Sequence, residues 1–370
     1  MSGPKAESVC AIWRDSSRTW FQLITIVTGF FICSITAAVA QTLPYKNCHL
    51  ETQFARSFKA SLIFNVQAPS LKANEWIFYA PLPPTLGNQQ RLSSWTCTID
   101  ERPFKPLEVH ELSRERRHLL LARLPASEPS SLKNFRAKMT YQFDLYARKL
   151  VEGAAPYPFP GEAMDAANYL GETSTLDFKS SAFRHWMHNH QLERRDGERD
   201  LDFAYRAFLK IRELGDYFYD ANQDRRVSKT CSSARTDCGG LAALFASTMR
   251  ANKIPARLLV GRWLKNDAEP DAASNDYGQV HVKSEFYAQN VGWVPVEMSL
   301  AVSDKNADPL KNFGRFAGIF VTFHIDPDLL IDSIFFGQSE QPWLQAPAFW
   351  VTGDGNLNNL KVEKVWQTSN

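Results

Sequence analysis

TDCGGLAALFASTMRANKIPAR, residues 236–257, sets a cysteine directly in front of an amphipathic run. Leu241, Leu244, Phe245 and Met249 recur at i, i+3, i+4 and i+8, the spacing of one apolar helix face. Cys238 stands at the head of that helix. A helix N-terminus favours an anion and thiolate is the reactive form of cysteine, so this position predicts a lowered thiol pKa. The bare backbone of Gly239 and Gly240 would let a substrate approach the first-turn amides. The same placement also suits a small apolar residue that opens a core helix, and residues elsewhere must separate the two readings.

The segment QVHVKSEFYAQNVGWVPVEMS, residues 279–299, reads as a hairpin. On its first strand His281, Lys283 and Glu285 share one face, with Val280, Val282, Ser284 and Phe286 on the other; on its second, Trp293, Pro295 and Glu297 share a parity. A turn centred near Gln289 makes partner numbers sum to 578, which sets His281 across from Glu297 with Cβ atoms within about 5.5 Å. A thiol, an imidazole and a carboxylate that orients it are the parts of a nucleophilic triad. Without the cysteine, a surface His and Glu on an exposed hairpin face would be the plainer reading. Two helical segments, 180–195 and 200–214, precede the opening stretch, the second with Asp200 placed to cap it. IPARLLVGRW (254–263) and the hairpin follow, and helices before a sheet predict an α+β domain over residues 181–305.

Further toward the N-terminus the period changes to two. Phe54, Phe58, Ala60, Leu62, Phe64 and Val66 share one parity, as do Phe135, Ala137, Met139, Tyr141, Phe143 and Leu145. With WIFYAPLP and RHLLLARLP between them, residues 41–150 are expected to form an antiparallel β-sandwich. Residues 151–180, rich at first in Pro, Gly and Ala, read as a linker, and 306–370 as a β-rich extension flanking the α+β domain. Residues 1–40 hold the uncharged run WFQLITIVTGFFICSITAAVA (20–40), which ends in Ala38-Val39-Ala40. That is either a secretory signal cleaved before Gln41 or an uncleaved membrane anchor, and either one places the rest outside the cytoplasm, secreted or in the periplasm or cell envelope. In such a compartment Cys48 and Cys97 are the natural disulfide candidates, and a Cys231–Cys238 bridge would silence a nucleophile. Lys+Arg 42 against Asp+Glu 40, with no basic stripe, argues against a nucleic-acid partner.

Taken together, Cys238-Gly239-Gly240 heading a helix, RANKIPAR at 250–257, His281 with Glu285 four residues on, and GWVPV at 292–296 before an acidic residue resemble the core of the transglutaminase-like superfamily over about Leu201 to Leu300. The β-rich region before it resembles the N-terminal domains of secreted bacterial members. The resemblance implies a papain/transglutaminase-like catalytic domain, helices packed on an antiparallel sheet, preceded by the all-β sandwich. It implies Cys238 as nucleophile, His281 as base and Glu297 as the acid that orients it, with no cofactor and no metal. The expected reaction is attack on an amide of a peptide or protein substrate through a thioester, ending in hydrolysis; the alternatives are a cross-linking acyltransferase and an inactive binding or scaffold protein of the envelope. Two positions depart from the family pattern: Glu297 stands where Asp is usual, and Lys283 where an aromatic residue is common.

Other clusters read as structural. His185, His188 and His190 lack a completing ligand for a metal. Asp220, Asn222 and Asp224 begin like a calcium loop, but Arg225 replaces its glycine and Cys231 its glutamate, so a turn is expected there and at Asp354. Arg257 and Arg262 are expected to be ion-pair partners near the core.

Overall fold

A computed structural model describes residues 43–87, 89–113, 117–127, 132–153, 165–264 and 280–369. The leader at 1–40 and most of the Pro-rich stretch after Gly153 lie outside these residues. Among the described residues no helix is long and apolar enough to cross a membrane.

Alternation makes the first layers. The chain begins with β1 (Cys48–Gln67), β2 (Leu71–Pro81), β3 (Gln90–Ile99), β4 (Arg102–Phe104), β5 (Leu107–His110), β6 (His118–Pro125) and β7 (Asn134–Glu152). In β7 the six expected residues from Phe135 to Leu145 are buried and those between them are not. In β1 the expectation fails at Phe54, which is exposed. A bulge between Phe54 and Arg56 inserts one residue against β7 and flips the face of everything before it.

The central segment follows as α1 (Ser181–Asn189), α2 (Asp200–Leu214), β8 (Asp216–Tyr217), α3 (Val227–Thr230), β9 (Arg235–Thr236), α4 (Cys238–Ala251), β10 (Ala256–Trp263), β11 (Val280–Ala288), β12 (Gly292–Val296) and α5 (Met298–Ser303). Asp200 is the first residue of α2 rather than its cap, which is the extended Arg199. There its charge still complements the helix dipole. The chain ends with β13 (Arg315–Phe316), β14 (Phe320–Ile325), β15 (Leu329–Asp332), β16 (Gln338–Gln341), β17 (Ala348–Gly355) and β18 (Lys361–Ser369). Asp354, expected in a turn, lies in β17, past a bulge at Thr352/Gly353.

Two antiparallel sheets, ordered β18-β1-β7-β3-β4 and β17-β2-β6-β5, face each other across Phe64, Trp76, Phe78, Leu124 and Phe135. The last two strands therefore complete the sandwich instead of extending the α+β domain, each pairing with the free edge of an N-terminal strand. A third antiparallel sheet, β12-β11-β10-β14, carries the helices. Every residue of α4 from Cys238 to Arg250 is buried, so this helix is enclosed all round and presents no solvent-facing polar side. Phe245 meets Phe286 of β11 edge-on at 6.0 Å between ring centroids. β14 joins the two halves: it pairs with β10 while Val321 and Phe323 pack with Leu62, Tyr141 and Trp366 of the sandwich. A Cβ at Gly261 would run into the Val321 carbonyl, so only glycine lets these strands close.

All four described cysteines are free. Cys48 pairs with Glu152 and Cys97 with Met139, near opposite ends of β7. At the rise of a strand that separates them by roughly 40 Å, which no disulfide can bridge. Cys231 bonds within its own turn, its sulfur 3.8 Å from the Ser228 carbonyl.

Candidate active site

Asp237 shapes the start of α4. Its backbone is extended and its carboxylate accepts the Gly240 amide at 3.2 Å. Arg225 grips the same carboxylate through Nε and a terminal nitrogen, 2.9 and 2.7 Å from Oδ2, so the turn that presents Cys238 is held by charge-assisted bonds. The two glycines serve packing: a Cβ at Gly240 would run into the Thr236 side chain, and one at Gly239 would lie 3.4 Å from Arg225 and from Trp343.

Cys238 is 6% exposed. Burial, followed by the nearby charges of Asp237 and Glu297, pushes its thiol up to about 12, against the Val282 and Gly239 amides that face the sulfur. The lowering expected from the helix N-terminus is outweighed, and the resting group is a neutral thiol.

β11 and β12 pair with partner numbers summing to 580, as in Ser284 with Val296 and Glu285 with Pro295. The turn centres on Asn290, which takes the left-handed conformation at φ 65°. Extending this ladder by one residue sets Glu297 across from Lys283 and diagonal to His281. The register expected from sequence was short by two, and a slip of two preserves which face each side chain occupies. His281 and Glu297 consequently still meet. Nε2 lies 3.0 Å from each carboxylate oxygen, and the Ser299 hydroxyl donates to Oε1 at 2.8 Å. An ionised carboxylate only accepts, so the bond fixes a proton on Nε2 and makes Nδ1 the ring nitrogen available to exchange one. Trp263 and Phe320 flank the ring, with centroids at 4.7 and 6.0 Å.

Burial works to raise the pKa of Glu297, but His281 and then Lys283, with hydrogen bonds from His281 and Ser299, hold it down at about 2. A folded pKa below the unfolded one contributes stability that is full above the ordinary value of 4.5 and is lost as pH falls toward 2. Melting temperatures followed from neutral pH into that window should therefore fall less steeply for Glu297→Gln than for the wild type. Parallel curves would assign the acid sensitivity to other groups.

Residues 190–298, which contain Cys238, His281 and Glu297, match the family model of the transglutaminase-like superfamily. This segment is a transglutaminase-like domain. Among solved structures the chain is similar to a protein from Cytophaga hutchinsonii described as a candidate cysteine protease, at 14% identity over 87% of this chain and 94% of that one, with a TM-score of 0.49. It is also similar to the periplasmic domain of TgpA from Pseudomonas aeruginosa, at 14% identity over 66% of this chain and 71% of that one, with a TM-score of 0.33. No curated protein matches the chain.

One wall of the site comes from beyond the transglutaminase-like domain. The connection from β16 to β17 places Trp343 beside Gly239. Two residues on, Gln345 Nε2 donates to the carbonyls of Gly261 and His281, both at 2.9 Å. The Leu344 amide donates to His324 Nε2 at 3.1 Å, which anchors the same connection to β14. No sequence signal marks these residues, because their contacts span some twenty to a hundred positions and form no local pattern. Lys283, read from sequence only as a departure, is in the site too, its Nζ 3.3 Å from Glu297 Oε2.

The remaining candidates lie apart from the thiol. Arg257 is a buried ion-pair partner as expected, bonded to Glu285 and Asp165 and stacked 3.9 Å over the Trp293 ring. Arg262 reaches the Gln345 carbonyl at 2.9 Å and packs over Trp366. His185 and His188 are exposed and bond to Asn189 and Glu193, while His190 packs on Trp186. Asp220 caps a turn by accepting the Asn222 amide at 2.9 Å.

Proposed function

We propose that this chain is a cysteine-nucleophile amide hydrolase acting on peptides or proteins outside the cytoplasm. The observation that carries the reading is the buried Nε2 bond from His281 to both oxygens of Glu297, which leaves Nδ1 as the nitrogen open to proton exchange, one residue along β11 from the amide that faces the Cys238 sulfur. The apolar leader at 20–40 supports the location.

Because the resting thiol is neutral, its proton passes to His281 Nδ1 as the C–S bond forms, not beforehand. The Cys238 amide, a first-turn donor beyond reach of any helical carbonyl, faces the developing oxyanion. As the C–N bond breaks, the imidazolium returns its proton to the departing amine and a thioester remains. Water, deprotonated by the same Nδ1, then adds to the thioester; the C–S bond breaks, the acid leaves and the imidazolium returns its proton to the Cys238 sulfur. Glu297 offsets the imidazolium charge in both halves.

Reduced native protein treated with iodoacetamide across pH, with the modified residue mapped, tests this. Labelling is expected at Cys238 with a pH profile that His281→Ala abolishes, while Cys48, Cys97 and Cys231, buried to a similar degree, serve as controls for burial alone. An unlabelled Cys238, or a rate indifferent to His281→Ala, would overturn the reading. That outcome would instead favour an inactive fold used as a binding or scaffold module, which the near-complete burial of Cys238 supports. A glutamine peptide offered with a fluorescent amine separates hydrolysis from cross-linking: deamidated or cleaved product alone is expected, and an amine adduct would make the enzyme an acyltransferase.

A further inference from the structure

We propose that Lys283 is a positioning residue for this chemistry, its ammonium acting as a second clamp that holds the Glu297 carboxylate against His281 and balances its charge. The proposal rests on the triad reading above, and its test is arranged so that the two can fail separately.

Lys283 is 7% exposed, with Nζ 3.3 Å from Glu297 Oε2. Three rings enclose the ammonium: Trp263 at 4.2 Å, Phe316 at 4.9 Å and Phe320 at 5.4 Å from Nζ to the centroids. Two of these, Trp263 and Phe320, also flank the His281 imidazole. An apolar side chain would fill such a cage at lower cost, since a buried ammonium loses hydration that cation–π contacts only partly replace. A cation kept there implies a task for its charge.

Other charged groups around the site are already engaged. Glu285, next along the same face of β11, is bonded to Arg257 and lies 4.0 Å from Arg148 of β7. Asp237, at the head of α4, is held by Arg225. Arg262 of β10 turns to the Gln345 carbonyl, and Arg315 of β13 is exposed. From α5 and its cap come Ser299 and Glu297 itself. The Lys283 ammonium therefore acts on Glu297.

Register explains why a glutamate suits this arrangement. Glu297 is diagonal to His281 and across from Lys283, so its carboxylate must lie between two side chains, and the added methylene relative to aspartate supplies that reach. Ser299 fixes Oε1 and Lys283 fixes Oε2, leaving both oxygens aimed at Nε2. Without the ammonium, Oε2 keeps only its bond from His281 Nε2, and the carboxylate charge is balanced only when the imidazole is protonated, a form that cannot accept the Cys238 proton.

The test replaces Lys283 by Met, which keeps the apolar stem inside the ring cage, in the full chain. The acid limb of the Cys238 iodoacetamide rate is expected to move to higher pH by about one unit. The His281 ring-nitrogen NMR signals should titrate with the same displacement, a readout that a merely structural lysine would not move. Lys283→Arg should restore part of the wild-type profile. If Lys283→Met does not fold, Lys283→Gln, which keeps a donor but not the charge, carries the same expectation. A folded neutral variant with wild-type alkylation and imidazole titrations overturns the proposal alone. If wild-type alkylation is already indifferent to His281→Ala, the triad reading falls instead, while the imidazole titration still decides whether Lys283 acts on Glu297.

Discussion

Glu297→Gln is expected to lower turnover of any peptide amide the wild type cleaves by about three to four orders of magnitude. The amide is nearly isosteric with the carboxylate, so Ser299 and His281 keep a partner at 2.8 and 3.0 Å in the wild-type positions. What disappears is the charge that stabilises the imidazolium formed when Nδ1 takes the Cys238 proton, together with the acceptor-only character that fixes Nε2 as the protonated nitrogen. With an amide, either tautomer can be satisfied, and the one with Nδ1 protonated is useless as a base. Lys283 loses its counterion, but burial already lowers its pKa, so it can shed its proton and spare the fold much of the cost. Glu297→Asp should fall between, losing about one to two orders of magnitude, because the charge survives while the diagonal reach to His281 is shortened by a methylene. Activity of Glu297→Gln within about tenfold of the wild type would show that the carboxylate is structural and sink the triad assignment.

How far the sequence alone reaches can be judged residue by residue at this same site. Cys238 at a helix head and the shared face of His281, Lys283 and Glu297 follow from periods of 3.6 and 2, which are local properties. The register of the hairpin does not, since it depends on which residue takes the left-handed conformation at the turn; Asn290 does so, and the turn centres there and not near Gln289. The error was harmless to His281 only because it was even. Local pattern also misjudged α4: Leu241, Leu244, Phe245 and Met249 form a stripe, but Ala242, Ala243, Ser247 and Thr248 are small enough to be buried on the remaining faces. The helix-head expectation for the thiol failed for a related reason, because burial is a property of the assembled fold. Least legible were partners distant in the chain. Nothing in the local sequence pairs β18 with β1 or sets Trp343 beside Gly239, and nothing marks the bulge that turns Phe54 outward.

At the far end of α4, Arg250→Met should destabilise the folded chain by about 3–5 kcal/mol, the usual consequence of removing one partner of a buried ion pair. Arg250 and Asp326 have 0% exposed side chains and bond through two contacts of 2.8 and 2.7 Å. The same guanidinium donates to the Ala256 and Gly171 carbonyls, both at 2.7 Å, while Asp326 accepts the Leu258 amide at 3.0 Å. One arginine therefore ties the end of α4 to the start of β10 and to the turn after β14, where Asp326 holds the left-handed conformation at φ 60°. Methionine fills the volume of the stem but leaves the carboxylate without its guanidinium and the buried Ala256 carbonyl without this donor. For a domain of this size the loss corresponds to a fall in melting temperature on the order of 10 °C. Adding Asp326→Asn should recover part of it, because the second change removes the uncompensated charge. The reactivity of Cys238 in the folded variant should not change, since Arg250 lies about 18 Å along the helix from the thiol. Denaturant unfolding measures the first effect and thiol alkylation the second. A loss below about 1 kcal/mol would mean that the paired strands β10 and β14, not the ion pair, hold this end of the helix.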